Sequence, residues 1–190
     1  MTTPDFHCRS RIGRSEVKYI ERHGVVSSLL QEQFSKGAQI ELSAPFGDFH
    51  PHEERDTPVV LVAGGVGITP LLCMLKTLAR TNRQVLLVHG ARNRGVQPFR
   101  DEVESARQQN PDGIRTAFFL EQPNGELGRD EKPGQVDLDR VDLPAPESKA
   151  DYYLCGPLPF IRLHRETLRA RGVAEENIHY EVFGSDVLDA

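Results

Sequence analysis

Residues 57–75 read TPVVLVAGGVGITPLLCML, and this stretch decides the fold. Its first half contains the run Val59–Val62, which is β-branched except at Leu61, whereas Leu71–Leu78 repeats apolar residues at helical spacing. The stretch is long enough and free enough of charge to span a bilayer. The glycines in its middle and Pro70, however, would interrupt a lone helix exposed to lipid. The stretch therefore predicts a strand, a tight turn and a helix, and no membrane span.

Strands and helical patterns alternate along the rest of the chain. The further predicted strands are 84–89, 116–120, 152–154 and 178–183. The predicted helices are 70–80, 98–109, 136–143 and 157–171. Such alternation is typical of right-handed βαβ units, so we predict an α/β fold with a doubly wound parallel sheet. A sheet of this kind binds ligands beyond the carboxyl ends of its strands.

The first fifty residues differ from the remainder of the chain. They contain short β-like segments and a short helix that opens at Gly24. The polar segment 50–56 contains proline and is the candidate linker. We therefore predict one domain in residues 1–50 and an α/β domain in residues 56–190.

The composition is that of a globular protein, with 38% hydrophobic and 27% charged residues. The net charge of −5 argues against a nucleic-acid partner, because such a partner is bound mainly through contacts between basic side chains and phosphates. Cys8, Cys73 and Cys155 lack CxxC spacing, which argues against a disulfide framework and a zinc module, and we predict no metal site. This use of cysteine makes the reducing cytoplasm the expected location. The N-terminal residues lack the apolar core of a secretory signal.

The turn Gly64–Pro70 lies between the first strand and the first helix. Glycines let a backbone approach a ligand closely, and free N–H groups at a helix start favour an anion such as a pyrophosphate. Thr69 is predicted to be the N-cap and Pro70 the first helical residue. The pattern is GxGxxP rather than the GxGxxG of the dinucleotide fingerprint. On this turn alone, a glycine turn that only packs a strand on a helix is the alternative.

Two further segments accompany this turn. The CGP turn Cys155–Pro157 also joins a strand to a helix, although a cysteine that closes a strand is most often a small buried hydrophobe. The segment Glu181–Gly184 ends the last strand, and its alternative role is core packing. Together the three segments resemble the ferredoxin–NADP reductase superfamily, and most closely the reductase portion of flavohaemoglobins, the bacterial nitric oxide dioxygenases. The resemblance extends from about Val17 to Leu188.

The resemblance implies an NAD(P)H-dependent flavin oxidoreductase that passes hydride from NAD(P)H to FAD and electrons onward to an acceptor. It implies coenzyme contacts at the glycine turn and the CGP turn, from Gly65, Val66, Gly67, Ile68, Thr69, Pro70, Cys155, Gly156 and Pro157. It implies FAD contacts from Gly24, Val26, Ser27, Val182, Phe183, Gly184 and Ser185, with a plain N-cap as the alternative for Ser27. The candidates for catalysis are Glu181, Cys155 and Thr69.

The end of the second strand bears on the choice between NADPH and NADH. No acidic side chain follows His89 in a position to bind a ribose diol, whereas Arg92 and Arg94 are candidates to pair with a 2′-phosphate. Two solvated loop arginines are the alternative. Either coenzyme therefore stays open, and Arg92 is the candidate that would favour NADPH.

The flavin side of the resemblance is incomplete. The family's flavin barrel carries an RxYS strand, and no RxYS occurs in this sequence. Residues 1–50 are therefore predicted to be a truncated flavin-binding β-barrel segment, and weak FAD binding is expected. Three possibilities stay open: a working NAD(P)H:flavin reductase, an NAD(P)H-binding remnant with little activity, and a subunit whose flavin site or haem domain lies on another chain.

Overall fold

The computed structural model describes residues 28–29, 32–35, 37, 39, 47–52, 54–145 and 149–182. The chain divides into two units, residues 1–48 and 49–190. In the first unit, the described residues 28–29 and 32–33 are helical. The predicted FAD-binding residues that lie outside the described residues are Gly24, Val26, Ser27, Phe183, Gly184 and Ser185.

The second unit contains a six-stranded parallel sheet in the order β4-β3-β2-β1-β5-β6. Its strands are β1 Val59–Gly64, β2 Val85–Ala91, β3 Ile114–Leu120, β4 Glu131–Pro133, β5 Asp151–Gly156 and β6 Ile178–Val182. Its helices are α1 Ile68–Leu78, α2 Arg100–Gln109 and α3 Leu158–Ala170. The predicted doubly wound α/β fold is confirmed.

Both faces of the sheet are covered, which explains why its central strands are continuous apolar runs. Every residue of β1 is buried. Leu61 packs with Leu71 in the core on the face of α1 and α2, and Val60 packs with Leu168 in the core on the face of α3. The uncharged stretch 57–75 thus contributes a strand, a turn and a helix to a buried core. None of the helices in the described ranges is long and apolar enough to cross a bilayer.

The predicted helix 136–143 is wrong. The structure has a single 3₁₀ turn there, Leu138–Arg140. The Asp137 side chain accepts a hydrogen bond from the Asp139 N–H at 2.9 Å, which closes the chain into one short turn. The apolar residues of this segment pack onto the α3 face of the sheet at Val136, Leu138 and Val141, and Pro144 disfavours helical geometry in the residue before it.

Strand β4 is absent from the sequence prediction. It has only three residues, Glu131–Pro133, and it pairs with the end of β3 through Phe118 and Glu131. A proline is compatible with an edge strand because no neighbour requires its missing N–H. Glu131 is held by ion pairs with Arg94 and Arg100. Because no apolar pattern marks this strand, hydrophobic periodicity does not predict it.

The predicted linker packs against the amino-terminal ends of the strands in the second unit. The Phe49 ring meets the Tyr153 ring edge-on, with the ring centroids 5.8 Å apart. Arg83 donates a hydrogen bond to the His52 carbonyl at 2.9 Å, and the Arg55 guanidinium lies 2.7 Å from an Asp151 carboxylate oxygen. Residues 49–52 and Arg55 are therefore part of the α/β unit.

Asp151 is a fully buried carboxylate at the start of β5. Arg55 donates to one of its oxygens, and Thr57 at 3.1 Å and Arg83 at 3.3 Å donate to the other. Burial raises the pKa of Asp151, but the hydrogen bond from His179 and the charge of Arg55 outweigh it and hold the pKa below its ordinary value. The carboxylate thus joins residues before β1 to two strands of the sheet.

Candidate nucleotide-binding site

The glycine turn leaves the carboxyl end of β1 as a single 3₁₀ turn, Gly65–Gly67, which continues directly into α1 at Ile68. Gly65 has φ +55°, in the left-handed region that favours glycine. It is exposed, and a Cβ at this position would meet nothing within 4 Å. The first N–H groups of a helical segment have no partners inside it, so this open turn is suited to bind an anion.

Gly67 has a different role from Gly65. It is buried, and a Cβ at this position would lie 2.8 Å from the Gly156 nitrogen and closer still to the Cys155 carbonyl. No real Cβ approaches a backbone atom so closely. A Cβ on Gly156 would likewise lie 3.2 Å from the Gly64 Cα. The glycine turn and the CGP turn therefore pack backbone to backbone.

The predicted N-cap role of Thr69 is wrong. Helix α1 begins at Ile68, its N-cap is Gly67, and no side chain caps it. The 3₁₀ turn starts the helical path before Thr69 is reached, so Thr69 and Pro70 are already inside the helix. The Thr69 hydroxyl donates instead to the Val66 carbonyl at 3.1 Å and braces the exposed tip of the turn.

One row of residues crosses all six strands on the face that α1 and α2 cover. It lies near the carboxyl ends of β3, β2, β1, β5 and β6 and at the first residue of β4. Each member is the register partner of the next. In spatial order the row is Glu131, Phe118, His89, Ala63, Cys155 and Glu181. The small Ala63 lies between the two residues that contact the glycine turn, His89 through its ring and Cys155 through its backbone. The middle of the row therefore lies directly against the glycine turn.

Cys155 is a buried member of this row, with no exposed surface. Burial, together with the nearby charge of Glu181, raises the pKa of the Cys155 thiol to about 12. The thiol is therefore neutral at physiological pH. The side chain packs as a small, polarizable core residue below the two turns, and a neutral, buried thiol is not a nucleophile.

We expect Cys155 to resist alkylation in the folded protein. At pH 8 its thiolate fraction is lower than that of an ordinary thiol by ~10³, and the reagent has no access to it. Peptide mass spectrometry after iodoacetamide treatment measures this, with the partly exposed Cys73 as the internal reference. Alkylation of both cysteines at the same rate in the folded protein would contradict the burial.

Glu181 and Val182 adjoin the CGP turn on the edge strand β6. Glu181 pairs in register with Cys155, and Val182 pairs with Gly156. The Glu181 side chain is exposed. Pro157 is exposed as well and is the N-cap of α3. The structure thus brings the glycine turn, the CGP turn and the end of β6 to the same edge of the sheet.

The two candidate arginines after β2 are placed differently. Arg94 donates hydrogen bonds to both carboxylate oxygens of Glu131, and Arg100 lies 2.9 Å from the same carboxylate. The hydrogen bonds from Arg94 lower the pKa of Glu131 to about 2. Arg94 is therefore occupied and is not a free phosphate ligand. Arg92 is exposed, and its backbone is held by a 2.7 Å hydrogen bond from the Gln122 N–H to its carbonyl.

His89 is a site residue that the sequence analysis missed. It is buried at the end of β2, and its Nε2 lies 3.1 Å from the Gly65 carbonyl oxygen. The sequence feature that could have indicated this residue is a histidine near the end of an otherwise apolar strand, next to Gly90. The contact could not be predicted from the sequence, because Gly65 belongs to the turn after β1 and is 24 residues away from His89.

Comparisons with known proteins identify the family to which the chain belongs. The family model described as "Oxidoreductase NAD-binding domain" matches residues 61–166. The flavohemoprotein of Rhizobium meliloti is 42% identical over 167 residues, which cover 86% of this chain and 41% of that protein. The chain thus spans less than half the length of this relative.

Two solved structures share the fold. The FAD/NAD-binding domain of nitric oxide dioxygenase from Vibrio cholerae has a TM-score of 0.73 at 36% identity, over 85% of this chain and 65% of that one. The flavohemoglobin of Malassezia yamatoensis, solved with FAD and heme, has a TM-score of 0.68 at 28% identity, over 86% of this chain and 42% of that one. The chain belongs to the oxidoreductase NAD-binding domain family, and it is similar to the C-terminal reductase portion of flavohemoproteins.

Proposed function

We propose that this chain is an NAD(P)H-dependent flavin oxidoreductase that passes hydride from NAD(P)H to FAD and electrons onward to an acceptor. The observation that carries the proposal is the close packing of Gly67 on the backbone of Cys155. This contact lies where the strand order reverses between β1 and β5, the point at which doubly wound sheets bind ligands. The similarity to an FAD/NAD-binding domain supports the same function.

The described residues fit a pyridine nucleotide. The N–H groups of the turn Gly65–Gly67 would bind the pyrophosphate, and the open face of Gly65 lets the ligand approach the backbone. Arg92 would bind a 2′-phosphate. The CGP turn would lie beside the nicotinamide, where the neutral Cys155 offers no competing acid or base. When bound, the nicotinamide supplies the hydride, so the main task of the protein is to hold it in position.

The other site candidates have proposed roles that follow from their places. Thr69 braces Val66 at the tip of the turn, and Ile68 and Pro70 continue the turn into α1. Glu181 is the proposed acidic residue near the reacting centre, since it adjoins the CGP turn and is exposed. Val182, beside Gly156, is a proposed FAD contact.

Similarity to flavin-binding relatives supports the proposed roles of FAD and of an electron acceptor. The flavohemoglobin of Malassezia yamatoensis binds FAD and heme. We propose that the first unit, predicted as residues 1–50 and ending at residue 48 in the structure, forms the flavin-domain segment. We propose that the second unit, which includes residues 56–190, forms the NAD(P)-binding domain, and that the acceptor is a haem domain or another electron-transfer protein. We propose a cytoplasmic location, which the small number of cysteines supports.

Titration of NADPH, NADH and FAD into the purified protein tests the proposed function. A yellow protein whose flavin is reduced by coenzyme supports the working reductase. A colourless protein that binds coenzyme supports the remnant, and FAD binding only with a second chain carrying RxYS supports the shared site. A folded protein that binds neither NADPH nor NADH would overturn the proposal.

Arg92→Ala is expected to weaken NADPH binding about 10- to 150-fold and to leave NADH binding nearly unchanged, because a charge-assisted contact with the 2′-phosphate contributes ~1.5–3 kcal/mol. Calorimetric Kd values for both coenzymes measure the effect. Arg80→Ala is the matched control, since Arg80 is an exposed arginine that follows α1, away from the turns. Equal losses for NADPH and NADH would show that Arg92 is only a solvated loop residue.

A further inference from the structure

His89 is a buried imidazole that touches the open end of the glycine turn. It is 1% exposed, and its Nε2 lies 3.1 Å from the Gly65 carbonyl oxygen. The contact joins β2 to the turn that follows β1. It therefore connects two neighbouring strands of the sheet at the point where the turn opens to solvent.

We propose that His89 positions the glycine turn for coenzyme binding, because its Nε2–H donates a hydrogen bond that fixes the left-handed conformation of Gly65. The inference rests on the proposed function and adds a residue to its site. His89 is a positioning residue in this scheme: it acts through Gly65 and does not contact the coenzyme.

The chemistry of the contact sets the tautomer of the ring. A carbonyl oxygen only accepts hydrogen bonds, so Nε2 must carry the proton and Nδ1 must be an acceptor. Within the described part of the chain, Nδ1 is buried and has no hydrogen-bond partner. An unsatisfied buried acceptor costs stability, so an apolar side chain would be more favourable at that end of the ring. The imidazole, unlike an apolar side chain, makes the hydrogen bond to the Gly65 carbonyl.

Burial keeps this donor in one form. It lowers the pKa of His89 to about 4, against a smaller opposing effect of the hydrogen bond to Gly65. The ring is therefore neutral near pH 7, and the proton stays on the nitrogen that faces the turn.

The position of the contact explains why it matters for binding. Gly67 is fixed by the backbone of Cys155, whereas a Cβ on Gly65 would find open space. Glycine has more conformational freedom than any other residue, so a turn held in place before binding loses less entropy when the ligand arrives. His89 supplies this restraint at Gly65.

The variant His89→Leu keeps the volume and removes the donor, and His164→Leu is its matched control. His164 is also buried, also has an unpartnered Nδ1 among the described residues, and also has its pKa lowered to about 4 by burial. Its ring contacts Phe160 within α3, with the centroids 4.3 Å apart, and Phe160 in turn packs beside Gly64 and Gly156. His164 itself makes no hydrogen bond to either turn among the described residues.

We expect His89→Leu to weaken NADPH and NADH about tenfold each, in protein without FAD, because the lost bond does not involve the 2′-phosphate. His164→Leu should change both Kd values much less than His89→Leu does, at a similar change in Tm, because His164 contacts the turns only through the Phe160 ring. Equal Kd values for the two folded variants would overturn the proposal. A wild-type protein that binds no coenzyme would instead overturn the proposed function.

A spectroscopic measurement decides the matter if His89→Leu does not fold. Imidazole ¹⁵N shifts of the wild-type protein at pH 7 report the tautomer directly. We expect His89 in the Nε2–H form, with an Nε2 resonance that shifts when NADPH is added. An Nδ1–H tautomer, or an Nε2 resonance unaffected by saturating NADPH, would contradict the positioning role.

Discussion

Gly67→Val is expected to lower the free energy of unfolding by about 3 kcal/mol or more and to abolish coenzyme binding. A Cβ at position 67 would collide with the backbone of Cys155 and Gly156, which cannot yield as a flexible side chain can. The packed pair of turns would have to separate. Urea unfolding followed by far-UV circular dichroism, together with NADPH titration, measures both effects.

Gly65→Ala is the control for this substitution. Its left-handed φ of +55° strains an alanine by about 1–2 kcal/mol, but the new methyl group meets nothing within 4 Å. We therefore expect Gly65→Ala to fold and to cost less stability than Gly67→Val. Similar unfolding free energies for the two variants would show that Gly67 is not a packing residue.

The packing of Gly67 determines how a loss of binding is interpreted. In a turn that only approaches a ligand, a bulky residue at position 67 would fill the space that the pyrophosphate needs. The structure places the Cys155 carbonyl in that direction instead. Loss of binding in Gly67→Val therefore reports the packing of the two turns, and Gly65 is the position that probes the ligand side.

Asp151→Asn is the second substitution with a large expected effect, a loss of about 3 kcal/mol in the free energy of unfolding. It would leave the buried guanidinium of Arg83 without its carboxylate and would weaken the attachment of Arg55. Asp142→Asn is the matched control, because Asp142 pairs with Arg115 on the exposed surface. That pair should contribute less than about 1 kcal/mol.

The stabilising effect of Asp151 depends on pH in a defined direction. Its pKa is lower in the folded protein than in the unfolded chain, so its contribution is present above the unfolded pKa of about 3.9. That contribution is lost as the pH falls through the folded value. The difference between wild type and Asp151→Asn should therefore shrink on acidification from pH 7 to below pH 4. A difference that stays constant over this range would contradict the ionised, buried carboxylate.

The sequence predicted the regular part of the fold, because apolar periodicity reports burial directly. The uniformly apolar β1 and the apolar stripe of α1 are both buried as expected. The failures are segments whose shape depends on polar contacts. The 3₁₀ turn at 138–140 follows from a side-chain hydrogen bond of Asp137, and β4 follows from the ion pairs of Glu131. The spacing of apolar residues does not indicate such hydrogen bonds and ion pairs.

The candidate site shows the same division. Local motifs located the glycine turn and the CGP turn, because each has glycines where the backbone must pass closely. The sequence did not indicate that Arg94 is occupied or that His89 holds Gly65, since both depend on residues from other elements. Contacts between strands that are distant along the chain become visible only when the register is known.

The strand order also predicts how the sheet opens in solution. β1 lies at the centre, between β2 and β5, and is buried along its whole length, whereas β6 lies at the edge and is partly exposed. In native-state hydrogen exchange, the β1 amides should exchange only through global unfolding and the β6 amides through local opening. The glycine turn follows β1, whose amides should exchange slowly, whereas Glu181 lies in β6, whose amides should exchange rapidly. The glycine turn should therefore persist in molecules whose edge strand has briefly separated from the sheet.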